Sequence, residues 1–167
     1  MTDVVFVDTN ILIYAYDQGA GEKHIRATGA LERLWDEQTG RVSVQVLQEF
    51  YVTAAQKLKA PRASAREIVQ AYAPWVQYPT TPETILRASD LSESAQLSFW
   101  DALIVASAEQ AGASQLYTED LNAGQIIAGV KIVNPLVPTG YDPSPATPGS
   151  VHEPAPSTSG RRSRRSR

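Results

Sequence analysis

Four acidic residues stand in or next to apolar runs, where carboxylates could do chemistry. Asp8 follows the apolar run Val4–Val7 in VVFVDTN and leads at once into Thr9 and Asn10. Glu49 lies inside SVQVLQEFYVTAAQKL, between Leu47 and the pair Phe50 and Tyr51, where a partly buried carboxylate is expected. Asp101 sits in the largely apolar SFWDALIVASAEQAG, with Ile104 and Val105 one helical turn further on. Asp120 closes the run Thr118, Glu119, Asp120 in LYTEDLNAG, which repeats the grammar of the first stretch, a strand running into hydroxyl and carboxyl groups. Any metal such acids hold must be bound through oxygen, because the chain has no cysteine and its two histidines, His24 and His152, stand far apart.

Each acid also has a purely structural explanation. Asp8 suits the cap of a helix beginning near Asn10. Glu49 can belong to an outward stripe with Gln45, Gln48, Gln56 and Lys57. Ser98 and Asp101 have the spacing of a capping box, and Thr118 or Asp120 suits an ordinary turn. The choice depends on the elements that position them.

Short apolar runs predict strands near Val4–Val7, Arg41–Val44, Gln115–Tyr117 and Lys131–Val133. Between them the spacing predicts helices near Asn10–Tyr16, His24–Gln38, Gln45–Leu58, Ser64–Trp75, Pro82–Ser92 and Phe99–Ala111. This alternation implies an α/β fold with a mainly parallel sheet covered by helices. Ligands of such sheets bind beyond the carboxyl ends of the strands, where Asp8 and the Thr118–Asp120 run fall.

The chain of 167 residues, 43% hydrophobic, is long enough for one domain with a sizeable core. Charge divides it. Residues 1–140 carry ten Lys and Arg against sixteen Asp and Glu, whereas 141–167 carry five Arg against two acids. The second part, YDPSPATPGSVHEPAPSTSG followed by RRSRRSR, is rich in Pro, Ser and Arg and poor in large apolar groups. It reads as a disordered tail whose basic end is either merely solvated or adds non-specific phosphate contacts. Asp8 and Asn10 interrupt the first apolar stretch, which argues against a signal peptide or membrane span and for a cytoplasmic protein.

Four blocks, FVDTNILIYAY, SVQVLQEFY, SFWDALIVASA and LYTEDLNAGQIIAGVKIVNP, resemble those of PIN-domain proteins, in particular the VapC-type toxins of bacterial toxin–antitoxin systems. The likeness covers about residues 3–136 and places a PIN domain over 1–140. It implies a three-layer α/β/α fold, a metal-dependent endoribonuclease, and an acidic site carried over to Asp8, Glu49, Asp101 and Asp120. Thr9, Asn10 and Thr118 match polar positions that line or order that site, with Glu119 beside them. Converging carboxylates repel, and without a cation at least one takes up a proton. Oxygen donors alone favour magnesium or manganese, and such ions promote in-line attack of water at phosphorus. On this reading Asp8, Asp101 and Asp120 are the main ligands, and Glu49 binds through water or orients the attacking water.

The resemblance further implies a homodimer, an RNA substrate and a cognate antitoxin whose peptide covers the crevice. Arg62 and Arg66 are candidates to guide the RNA backbone, although arginines on a helix are ordinarily a solvated face. Trp75, Tyr78 and Trp100 are candidates to stack bases, with core packing the role expected of most of them. Two rivals stand beside this reading. A doubly wound phosphatase or phospho-acceptor domain also sets an Asp after its first strand, but the phosphatase wants a second Asp where Asn10 stands. The other is a non-catalytic binding module whose acids are structural.

Overall fold

The structure, a computed structural model, describes residues 3–138. The Pro/Ser- and Arg-rich segment 141–167, and with it the expected domain end at residue 140, lies outside the described residues. Strand β1, Val5–Val7, is buried along its whole length, as an apolar run between two neighbours should be. It pairs in parallel with β2, Gly40–Arg41, and with β3, Gln115–Tyr117. Strand β5, Val130–Val133, extends the sheet in parallel from β3, and β4, Ile126–Ile127, adds an antiparallel edge, giving the order β2-β1-β3-β5-β4. Strands β4 and β5 are joined by Ala128 and Gly129, both at positive φ (50° and 78°), the backbone that a two-residue hairpin turn requires.

Six helices cover this sheet in the three-layer α/β/α arrangement. They are α1 (Thr9–Tyr16), α2 (Glu22–Glu37), α3 (Val44–Gln56), α4 (Arg62–Tyr72), α5 (Pro82–Ser94) and α6 (Phe99–Gln110). Helix starts follow their caps. Ser43 accepts from the Val46 amide, Thr81 and Thr84 form a reciprocal capping box, and Ser98 accepts from the Asp101 amide. Helix α6 is buried without interruption from Ala102 to Ala108, so its alanines bring it close to neighbours on every side. Phe6, Ile11, Leu12, Val46, Phe50, Leu116 and Ile132, all fully buried, make the centre of the core. Each such side chain contributes roughly 1.5–3 kcal/mol relative to exposure.

Element ends differ from those the sequence predicts by one to three residues, and three of the departures have a local reason. Strand β2 ends at Arg41 rather than Val44 because Ser43 caps α3 and the Val42 amide turns to the Trp75 carbonyl. The helix expected over Ser64–Trp75 begins two residues earlier and tightens into a 3-10 turn over Ala73–Trp75, where Pro74 removes a donor. Strand β4 has no counterpart in the prediction, since two residues carry no readable alternation.

Among the described glycines Gly40 is the most closely packed. The Trp75 ring lies flat against its backbone, so that a Cβ there would sit 2.3 Å from the ring. Trp75 in turn packs against Trp35 and Tyr72, with ring centroids 4.7 and 4.9 Å away. We therefore expect Gly40→Ala to lower stability by about 1–3 kcal/mol, the usual cost of overpacking. Thermal unfolding followed by circular dichroism checks this, and an unchanged midpoint would show that Trp75 yields without cost.

Candidate active site

Asp8 leaves the sheet at the carboxyl end of β1 with extended backbone, its amide still donating to the Tyr117 carbonyl at 3.0 Å. One carboxylate oxygen accepts from the Thr9 amide at 2.7 Å and so caps α1. The other accepts from the Thr118 hydroxyl at 2.9 Å and from the Asn10 amide at 3.3 Å. Asp8 is thus both the cap and a member of a polar cluster. With 6% exposure it is nearly out of water. Burial is the main force that pushes its carboxyl up, to about 6; the Thr118 and Thr9 hydrogen bonds oppose this, and the charges of Asp120 and Glu49 reinforce it.

Asn10 ties the first and last acids together. Its amide nitrogen donates to Asp120 at 2.9 Å and to Thr118 at 3.2 Å as well as to Asp8, while its oxygen accepts from the Glu119 amide at 3.3 Å. Thr118 is fully buried and its hydroxyl also accepts from the Asp120 amide at 3.1 Å. Glu49 joins from the other side, accepting from the Thr9 hydroxyl at 2.8 Å and from the Gln45 amide at 2.8 Å. Contrary to the sequence expectation it is an exposed residue, held by these two donors rather than by burial. Gln45, read from sequence as part of an outward stripe, is the buried one.

Asp101 stands slightly apart. Ser98 caps its amide at 3.1 Å, but among the described residues nothing hydrogen bonds its carboxylate. Gln45 spans the interval, donating both to Glu49 and, at 3.4 Å, to the carbonyl of Trp100, the residue before Asp101. The structure therefore draws Asp8, Asp120 and Glu49 into one network through Asn10, Thr9 and Thr118, and places Asp101 beside it. Among the described residues no three His, Asp or Glu side chains are gathered closely enough to hold an ion as they stand.

Glu119, expected beside the site as a supporting group, turns outward. It accepts from the Tyr14 hydroxyl at 2.6 Å and the Lys23 ammonium at 2.9 Å. Burial pushes its carboxyl up, but Tyr14 and Lys23 together outweigh burial and hold it below its usual value. Among the described residues no Lys or Arg forms an ion pair with Asp8, Glu49, Asp101 or Asp120. The cluster opens on a groove of about 510 Å³ between α1 and α3, lined by Thr9, Asn10, Tyr14, Thr53, Lys57 and Asp120. Arg66 lines a different groove, between α3 and α4.

Sequence reading missed Gln45, Tyr14 and Lys23. Gln45 and Glu49 are four residues apart, a spacing that lets an amide and a carboxylate meet on a helix. Tyr14 and Lys23 meet Glu119 only across the fold and leave no local signal.

The family model of the PIN domain matches residues 5–126, most of the chain and the span in which the four acids lie. The chain belongs to the PIN-domain family. That membership sets aside the phosphatase and phospho-acceptor alternatives. Among solved structures, a toxin–antitoxin complex from Klebsiella pneumoniae is 24% identical with a TM-score of 0.57, covering 79% of this chain and 97% of that one. VapC20 of Mycobacterium tuberculosis, a toxin that cleaves the sarcin-ricin loop, is 22% identical with a TM-score of 0.54 over 70% of this chain and 89% of that one. VapBC2 of Rickettsia felis, bound to a DNA fragment from its promoter, is 17% identical with a TM-score of 0.53, covering 77% and 96%. These likenesses show a shared PIN fold. No curated protein of similar sequence is found. Among the described residues no helix is long and apolar enough to cross a membrane.

The raised Asp8 carboxyl has a thermodynamic signature of definite sign. Its folded value of about 6 lies above the unfolded 3.8, so the native state binds the proton more tightly. The stability this contributes is fully present below about pH 4 and is lost as pH rises through 6. In urea titrations with EDTA, wild type should lose up to about 3 kcal/mol relative to Asp8→Asn between pH 4 and pH 7.5. Parallel pH profiles for the two proteins would contradict the assigned environment of Asp8.

Proposed function

We propose that this chain is a magnesium- or manganese-dependent endoribonuclease and the toxin of a cytoplasmic toxin–antitoxin pair, with residues 1–140 as its catalytic domain. The observation that carries this reading is Asp8, a carboxylate buried at the end of the central strand, near two further acids and, among the described residues, with no Lys or Arg paired to any of them. Its cost is explained by a cation that the site is built to receive. Two further supports are family membership and the toxins named among proteins of like fold.

The donor set fits a hard divalent ion. Every charged group is a carboxylate, and the Asn10 amide already places partial positive charge between Asp8 and Asp120. Asp8 and Asp120 would hold the ion, with Asp101 and Glu49 completing the site directly or through water. When bound, such an ion supplies a polarised water and a counter-charge for phosphate oxygens. The protein's own contribution is orientation. Thr118 and the Thr9 amide fix both oxygens of Asp8, and the Thr9 hydroxyl and Gln45 fix both oxygens of Glu49. Glu49 is thereby positioned to accept a hydrogen bond from an attacking water, and Lys57 in the adjoining groove can meet a backbone phosphate. A homodimer and an antitoxin peptide that covers the crevice belong to the same reading.

The decisive assay is cleavage of a mixed RNA pool by antitoxin-free protein with manganese, magnesium or EDTA. Cuts should require the metal, and Asp8→Asn or Asp101→Asn should reduce them by about 100-fold or more, the scale of losing one preorganised group that stabilises charge. Cleavage retained by both variants would mean that the nuclease site lies elsewhere. Independently of turnover, millimolar magnesium or manganese should raise the thermal midpoint of wild type at pH 7.5 and do so much less for Asp8→Asn. Equal shifts would remove Asp8 from the metal site.

A further inference from the structure

Of the three tryptophans, two stack in one aromatic cluster. Trp75 is buried and Trp35 packs on Tyr72 and Trp75, with centroids 5.2 and 4.7 Å away. Trp100 is different. It is 64% exposed, on the residue directly before Asp101, and its ring is braced edge-on by Phe99 at 5.4 Å and 75°. An edge-to-face brace fixes the ring and leaves a π-face for a partner. Trp100 also walls an open cavity of about 320 Å³, together with Val44, Pro79, Thr80, Leu103 and Gln45.

Gln45 gives this cavity a second mark. Its amide orientation is fixed, because the nitrogen donates to the Glu49 carboxylate and the Trp100 carbonyl, two groups that can only accept. Its Oε1 is therefore left as an acceptor, buried and with no partner among the described residues, in a side chain only 8% exposed. The exposed aromatic face thus stands where Gln45 links Glu49 to the start of α6.

We propose that this cavity is a nucleobase subsite, in which the base of an unpaired nucleotide flanking the scissile phosphate stacks on Trp100, beside the Gln45 amide that holds Glu49. The inference rests on the endoribonuclease reading and names how that site takes hold of its RNA. A base is flat and apolar on its faces, which is what the Trp100 ring and the apolar walls from Val44, Pro79 and Leu103 complement. Stacking tolerates any base, so the subsite favours single-stranded RNA and adds affinity without a strict sequence. It also couples recognition to chemistry, because the Gln45 amide that borders the base holds Glu49 as well.

The test is binding of short oligoadenylate and oligouridylate RNAs to full-length protein in EDTA, read by tryptophan fluorescence. Wild type should bind with quenching, oligoadenylate more tightly. Trp100→Leu should lose the quenching and bind five- to twentyfold more weakly, and Trp100→Phe should recover much of the affinity. Because the ring is exposed, thermal midpoints should not change. In cleavage assays with manganese, Trp100→Leu should raise KM more than it lowers kcat. Quenching and affinity unchanged in Trp100→Leu would overturn the subsite while leaving metal-dependent cleavage, and with it the nuclease reading, intact. Absence of oligonucleotide binding by wild type would also overturn it. So would unaltered RNA affinity combined with a changed oligomeric state of Trp100→Leu, which would make this face a protein contact.

Discussion

A carboxylate taken out of water at the end of a parallel strand stays charged only if its lone pairs are answered, and at Asp8 three donors from two distant segments do so. Thr9 and Asn10 come from the helix that Asp8 itself starts, and Thr118 from the end of the neighbouring strand. The parallel register of β1 and β3, which pairs Val7 with Tyr117, is what brings residues 8 and 118 to one level. Sheet register, helix start and site geometry are in that sense one arrangement. A slip of one residue would turn Thr118 to the opposite face and leave Asp8 buried without its strongest hydroxyl partner.

What the sequence made legible follows from this. The apolar runs around Phe6 and Leu116 had to be strands, their carboxyl ends had to share an edge, and the acids after them had to be near one another. Asp8 and Asp120 were readable for that reason; Glu49 and Asp101 stood out as acids among apolar neighbours, and the family likeness joined the four into one expected site. The surroundings of Glu49 were not readable. Its sequence neighbours are core residues, yet it is exposed, while Gln45, one turn earlier on the same face of α3, is buried and donates to the Trp100 carbonyl, a contact that only tertiary folding makes. Strand β4 escaped because two residues show no period, and Tyr14 and Lys23 because they meet Glu119 only through tertiary folding.

The adjacent acids Glu119 and Asp120 show how the fold sorts like charges. One is directed to Tyr14 and Lys23, with the ammonium 4.8 Å above the Tyr14 ring, and the other to Asn10. The division keeps a fourth uncompensated carboxylate away from Asp8, Asp120 and Glu49. It also pins the backbone between β3 and β4, since the Glu119 amide donates to Asn10 while its side chain is anchored to α1 and α2.

Both outer strands of the sheet, β2 and β4, are only two residues long, and the β4 edge ends in a hairpin turn with both residues at positive φ. An edge so short offers an incoming chain almost no row of free amides and carbonyls to pair with. Within the described residues, the α/β/α body is thus guarded against sheet-to-sheet growth between copies, and association is left to its helical surfaces and side chains. Because the central strand Val5–Val7 is wholly apolar, edges this short also leave its kind of segment little chance to pair between copies.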